Sequence, residues 1–151
     1  MDQEIESNNE KLKTYLDTCV WCRLFDETSE RIIKEANATL QILAKADRSE
    51  IEIICSTAVL AEIDLISDEN KRQAVKDLVE KSSKVIIWIK EEDIKLAEEI
   101  MKFCHVDSVD ALHIAVASKY ADVFITVDDE ILKKRDCLKK YIDVKNPLDI
   151  V

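Results

Sequence analysis

The chain has 151 residues, enough for one domain with a real core, and no apolar run long enough to span a membrane. Its formal charge of -10, from 32 acidic and 22 basic residues, argues against polyanion binding through a broad basic face. The total lack of glycine removes glycine-rich phosphate loops, and the polar, acidic start has no secretion-signal layout, so a cytoplasmic protein is expected.

Residues 1–12 read as a polar leader, and 13–151 as a single domain. Thr14 to Leu16 is a short strand candidate that runs into Asp17. A brief helix over Val20 to Phe25 precedes a longer one from about Ser29 to Ala46, where Ile33, Ala36, Leu40 and Leu43 share a face. Ile51 to Cys55 is a second strand, and Ser56 or Thr57 can cap a helix from Ala58 to Ile66 that carries Glu62. The next helix spans about Asn70 to Lys81, with Val75, Leu78 and Val79 inward. The apolar run Val85 to Ile89 suits a strand covered on both faces.

Glu91 to Cys104 is amphipathic, with Ile94, Ala97, Met101 and Cys104 aligned and acids at its start, where the helix dipole favours them. A helix bearing Asp110 follows, then a strand over Val123 to Val127 that leads into Asp128. A short helix from Glu130 to Arg135 and a strand over Tyr141 to Val144 complete the series. Pro147 cannot join a ladder and marks the tail. Alternating strands and helices predict an α/β domain, a parallel sheet with helices on both faces. Such sheets place ligands at the carboxyl ends of their strands.

Asp17 and Asp128 sit at such ends, and Glu62 and Asp110 lie early in helices that can begin nearby. Glu62 competes with Asp64 for this role, and Asp128 with Asp129. Carboxylates crowded in one cleft repel each other and resist desolvation, which a bound divalent cation relieves. An all-oxygen ligand set suits Mg²⁺ or Mn²⁺. Such ions activate water and stabilise the leaving oxygen in phosphodiester hydrolysis.

Other constellations weigh less. Cys19-Val20-Trp21-Cys22 has the form of a thiol redox motif but no basic neighbour, and reads as packing cysteines. Zinc at Cys19, Cys22, Cys104 and His105 lacks a second paired spacing. The five cysteines, unevenly spaced, give poor support for disulfides. His113, one turn after Asp110, reads as a hydrogen-bonded helix histidine within reach of the site. Trp21 and Trp88 read as core.

The segments Tyr15-Leu16-Asp17-Thr18, Ser56 to Ile63, Asp110-Ala111-Leu112-His113-Ile114-Ala115-Val116-Ala117 and Ile125-Thr126-Val127-Asp128 together resemble the PIN domain family, nearest its VapC-type toxin ribonucleases. The likeness spans about residues 13–145. It implies a three-layer α/β/α sandwich and a Mg²⁺- or Mn²⁺-dependent endoribonuclease that leaves 5′-phosphate and 3′-hydroxyl ends. Asp17, Glu62, Asp110 and Asp128 match the family's four metal-binding acids. Thr18 and Thr126 match its accompanying hydroxyl residues, and Asp107 and Asp129 are candidate outer partners.

An antitoxin protein and a homodimer are further implications of the resemblance. RNA would be gripped through the ions and a local basic cluster, with Lys133, Lys134, Arg135, Arg23, Lys71 and Arg72 as candidates. The alternative is a catalytically weak PIN-fold binding module in RNA processing.

Overall fold

A computed structural model describes residues 11–151; most of the expected leader lies outside them. The elements are β1 (Leu12–Leu16), α1 (Thr18–Cys22), a 3₁₀ turn (Arg23–Phe25), α2 (Glu30–Asp47), β2 (Ile51–Ser56), α3 (Thr57–Ile63), α4 (Glu69–Ser82) and β3 (Val85–Ile87). They continue through α5 (Glu91–Cys104), α6 (Ser108–Tyr120), β4 (Val123–Ile125), α7 (Asp129–Leu132), α8 (Arg135–Leu138), β5 (Asp143–Lys145) and a closing 3₁₀ turn (Pro147–Asp149).

The five strands form one sheet in the order β3-β2-β1-β4-β5, and every pairing is parallel. The chain moves outward from β1 through β2 to β3, then returns to the other side of β1 for β4 and β5. Because parallel crossovers are right-handed, the two halves lay their helices on opposite faces, which makes the three-layer α/β/α sandwich. The order reverses between β1 and β4, so the helices leaving these strands part there and open a crevice at the carboxyl edge. Leu16 pairs with Ile125 at that edge, and the Asp17 amide donates to the Ile125 carbonyl at 2.9 Å.

Central strands are apolar on both faces: Tyr15, Leu16, Phe124 and Ile125 are all fully buried. β3 is an edge strand, shorter than expected and only partly covered. Trp88, expected in the core, lies just past its end and is 77% exposed. Trp21, by contrast, is fully buried.

α2 also departs from expectation. Ile33 and Leu40 face solvent, while Glu35, Ala38, Thr39 and Ile42 are buried at helical spacing. The reason is ionic. Glu35 accepts from Arg23 Nε at 2.8 Å, Arg31 Nε at 3.2 Å and Asn146 Nδ2 at 2.7 Å, so a carboxylate is turned inward where the apolar pattern placed isoleucine and leucine. The helix expected over 130–135 divides into α7 and α8, and the last strand shifts to Asp143–Lys145.

Ser49 and His105 adopt left-handed backbone angles, with φ of 62° and 57°. Such sites favour glycine, which this chain lacks. A disulfide joins Cys104 and Cys137, for which the cysteine spacing gave poor support. The two cysteines are 33 residues apart, and only the packing of α8 against the end of α5 brings them together. The pairing also removes Cys104 from any zinc set. Among the described residues, no helix is long and apolar enough to cross a membrane.

Candidate active site

Asp17 follows β1 and serves as the N-terminal cap of α1: its Oδ1 accepts from the Thr18 amide at 2.8 Å. Its Oδ2 accepts from the Thr126 hydroxyl at 2.8 Å and the Cys19 thiol at 3.4 Å. The side chain is buried, yet three donors from the segments after β1 and β4 hold it in one orientation. Thr126 Oγ1 in turn accepts from the Asp128 amide at 3.0 Å, which ties the end of β4 to Asp17.

Glu62 projects from α3, whose start is capped by Ser56 Oγ on the Ala58 amide at 3.2 Å. Its Oε1 accepts from Thr18 Oγ1 at 2.5 Å and from His113 Nε2 at 2.6 Å. Tyr15 OH sits 2.7 Å from His113 Nδ1 and 2.6 Å from Ser56 Oγ. With His113 neutral and its proton on Nε2, the chain Ser56, Tyr15, His113, Glu62 donates in one direction throughout. A buried relay of this kind fixes both the ring and the carboxylate.

Ligand atoms of Asp17, Glu62 and His113 lie within 4.8 Å of one another. Asp110 and Asp128 are outside this close group. Asp110 stands in the first turn of α6, one turn before His113, and is half-buried. Burial, with the charges of Asp17 and Asp128, pushes it up to about 7. Asp128 caps α7 by accepting from the Glu130 amide at 2.8 Å.

Asp129 is held instead by both terminal nitrogens of Arg31, each at 2.9 Å, and points away toward α2. Arg31 also donates to the Val127 carbonyl at 2.9 Å, so it grips the chain on both sides of Asp128. Asp107 is exposed before α6 and adds a weaker repulsion to Asp110.

His113 belongs to the site, and it is also the hydrogen-bonded helix histidine that the sequence suggested. Its spacing from Asp110 was the only signal; Tyr15 and Ser56 gave none, since their roles depend on how β1, β2 and α6 pack. Burial raises the thiols of Cys19 and Cys22, opposite to what thiolate chemistry needs.

The donor set fits a hard divalent cation. Burial raises Asp17 although His113 and Thr126 counter it, and Asp110 is raised in part by other acids. A cation among them relieves both effects. Asp17, Glu62, Asp110 and Asp128 would supply oxygens, with His113 already committed to Tyr15 and Glu62.

A pH dependence follows for the metal-free protein. Asp110 rises from an ordinary 3.8 to about 7, so its contribution to stability is full below about 4 and lost as pH rises through about 7. Burial alone would lower His113, but Glu62 and Asp17 outweigh it and raise the group above 6.5; its contribution is lost as pH rises through that higher value. Glu62 is lowered by His113 and Thr18 against its burial, so its contribution is full above about 4.5, is lost only as pH falls through its lowered value, and is constant between pH 6 and 8. In EDTA the melting temperature should therefore fall between pH 6 and 8. Saturating Mn²⁺ should raise it more at pH 8 than at pH 6. A metal-free melting temperature that climbs over this range would contradict the assignment.

A family model described as the PIN domain matches residues 14–136. No curated protein sequence matches the chain. The fold is similar to the crystal structure of FitAcB from Neisseria gonorrhoeae, at 17% identity and a TM-score of 0.58, covering 91% of this chain and 99% of that one. It is also similar to VapBC2 from Rickettsia felis bound to a DNA fragment from their promoter, at 14% identity and a TM-score of 0.64, covering 89% and 98%. Most of the chain falls within the family match: the chain belongs to the PIN domain family.

Proposed function

We propose that this protein is a metal-dependent endoribonuclease, the toxin of a toxin–antitoxin pair, acting in the cytoplasm as a homodimer. The observation that carries the reading is the convergence of Asp17, Glu62 and His113 ligand atoms within 4.8 Å at the crevice between β1 and β4. Asp17, Glu62, Asp110 and Asp128 hold the ion, Mg²⁺ or Mn²⁺. A bound divalent ion supplies an activated water and charge stabilisation for phosphodiester hydrolysis.

The chain's own residues do the rest. Thr18 and His113 hold Glu62, while Thr126 and the Thr18 amide hold Asp17. Asp110, raised to about 7, is poised to exchange a proton near neutrality when no ion is bound. The family resemblance extends the reading to 5′-phosphate and 3′-hydroxyl products and to an antitoxin partner.

The test is cleavage of a 5′-labelled RNA. Cutting should require Mg²⁺ or Mn²⁺, stop in EDTA and return on adding excess ion. Saturable Mn²⁺ binding without any cutting would favour the binding-module alternative. Cutting that persists in EDTA would refute the metal-dependent reading.

A further inference from the structure

We propose that the Cys104–Cys137 disulfide is a redox-active site, opened and reformed by exchange with dithiols, and that its closure holds Asp110 and Asp128 at the spacing an ion needs. This rests on the metal-dependent reading above. The bond joins the two arms that carry these acids. Cys104 ends α5, just before the helix of Asp110, and Cys137 lies in α8, one short helix beyond the cap formed by Asp128.

Little slack separates either sulfur from its acid. On the first arm the His105 amide donates to the Met101 carbonyl at 2.9 Å and closes α5; the Ala111 amide donates to the Asp107 carbonyl at 2.8 Å and opens α6. On the second, the Leu132 amide returns to the Asp128 carbonyl at 3.0 Å, and the Leu138 amide to the Lys134 carbonyl at 2.9 Å. The seam between the arms is a cavity of about 140 Å³, with His105, Asp107 and Asp110 on one wall and Glu130, Ile131 and Lys134 on the other.

Acids on both walls repel across this seam and push the arms apart. Three surface contacts oppose that. Lys134 Nζ donates to the His105 carbonyl, Lys140 Nζ lies 4.1 Å from the centre of the Phe103 ring, and Tyr141 OH donates to Glu99 at 2.8 Å. Exposed contacts of this kind are weak, so the covalent bond is the main tie.

The bond can be attacked from one side. Cys137 is exposed and Cys104 is buried, so an incoming thiolate reaches the Cys137 sulfur. Lys134, Arg135, Lys139 and Lys140 flank it in the chain and attract an anion. Attack forms a mixed disulfide at Cys137 and expels Cys104 as a thiolate, which takes up a proton. The second thiolate of the reductant then attacks its own partner sulfur and releases Cys137, which is protonated in turn. The protein gains two electrons and two protons, and the dithiol loses them and becomes a disulfide. Exchange with an oxidised dithiol runs the steps backward. In the proposed cytoplasmic setting thiols are kept reduced, and a disulfide there acts as a sensor.

Coupling between two sites is reciprocal. A closed bond that tightens the ion site must itself become harder to reduce, by the same factor, when the ion is bound.

The test compares the full chain in oxidised form with the same chain reduced and freed of reductant without air. Free Mn²⁺, read by its electron paramagnetic resonance signal, gives the Kd of each. Reduction should weaken Mn²⁺ binding about tenfold, the scale seen when a group supporting a metal ligand is lost. Circular dichroism should show both forms folded. Cys137→Ser should match the reduced protein under either treatment. Equilibration against reduced and oxidised dithiothreitol, followed by alkylation and mapping of Cys104 and Cys137, gives the reduction equilibrium. Saturating Mn²⁺ should disfavour reduction tenfold, about 30 mV for a two-electron couple.

Equal Kd values in the two forms overturn the clamp and leave the metal-dependent reading standing. A bond that survives excess reduced dithiothreitol in the folded protein overturns it as well. Absence of Mn²⁺ binding in both forms fells the metal-dependent reading, and the clamp with it. Coupled binding and reduction in a chain that never cuts RNA refutes the nuclease alone.

Discussion

Replacing Asp17 with asparagine should reduce RNA cleavage by roughly a hundredfold or more, the scale seen when one preorganised electrostatic group is removed from an active site. Asp17 is the most constrained of the acids. It is 5% exposed, and both its oxygens accept hydrogen bonds. Asparagine keeps the size and can keep the bond from the Thr18 amide. It replaces the other oxygen with a donor facing Thr126 Oγ1, which already accepts from the Asp128 amide. The hydroxyl proton of Thr126 then loses its acceptor, a local cost of about 1 kcal/mol.

Removing the charge also relieves the repulsion that raises Asp110. The metal-free melting temperature should therefore change little, while stabilisation by Mn²⁺ disappears. Thermal melts with and without Mn²⁺, run beside cleavage assays, check both halves. Persistent Mn²⁺ stabilisation in Asp17→Asn would mean that the ion sits elsewhere.

Glu35→Ala should be the most damaging change away from the crevice. The Glu35 side chain is 2% exposed and receives Arg23, Arg31 and Asn146. Truncation strands two guanidinium groups, one of them largely buried, at a cost of about 3 kcal/mol, the low end for breaking a buried pair because Arg31 is half exposed. For a chain of this length that is a fall in melting temperature of about 10 °C. Glu35→Gln, which keeps the volume and one acceptor, should cost less than half as much.

Urea and thermal denaturation should order the proteins wild type, Gln, Ala. A loss below about 1 kcal/mol in Glu35→Ala would show that the network behaves as surface charge. Activity should fall as well, since Arg31 loses the partner that aims it at Val127 and Asp129 on either side of Asp128.

The parallel α/β architecture was legible because local patterns carried it. Apolar runs ending on acids marked β1 and β4, and the three-and-four spacing placed the buried Val75 and Val79 of α4; in α5 it placed Ala97 and Cys104 but not Asp93 and Ile100, and it put exposed Ile94 on the inner face. The same reasoning failed where a polar contact overrode the apolar pattern. In α2, Glu35 turned inward and left Ile33 and Leu40 in water. At Trp88, the end of an edge strand left a large aromatic uncovered, because no neighbouring strand lies beyond β3. The Cys104–Cys137 pairing had no signature in spacing, since the approach of α8 to α5 is a property of the whole fold.

The chain alone supplied the candidate acids, their order and the kind of ion that oxygens of this sort attract, because residue type and position along a strand or helix are local facts. Three dimensions decided how tightly those acids meet. Asp17 and Glu62 share a histidine, whereas Asp110 and Asp128 flank them. That outcome depends on the reversal of strand order between β1 and β4, and on the turn of α6 that aims His113 at Glu62. Both arise from packing between segments 51 to 109 residues apart, which no stretch of sequence encodes by itself.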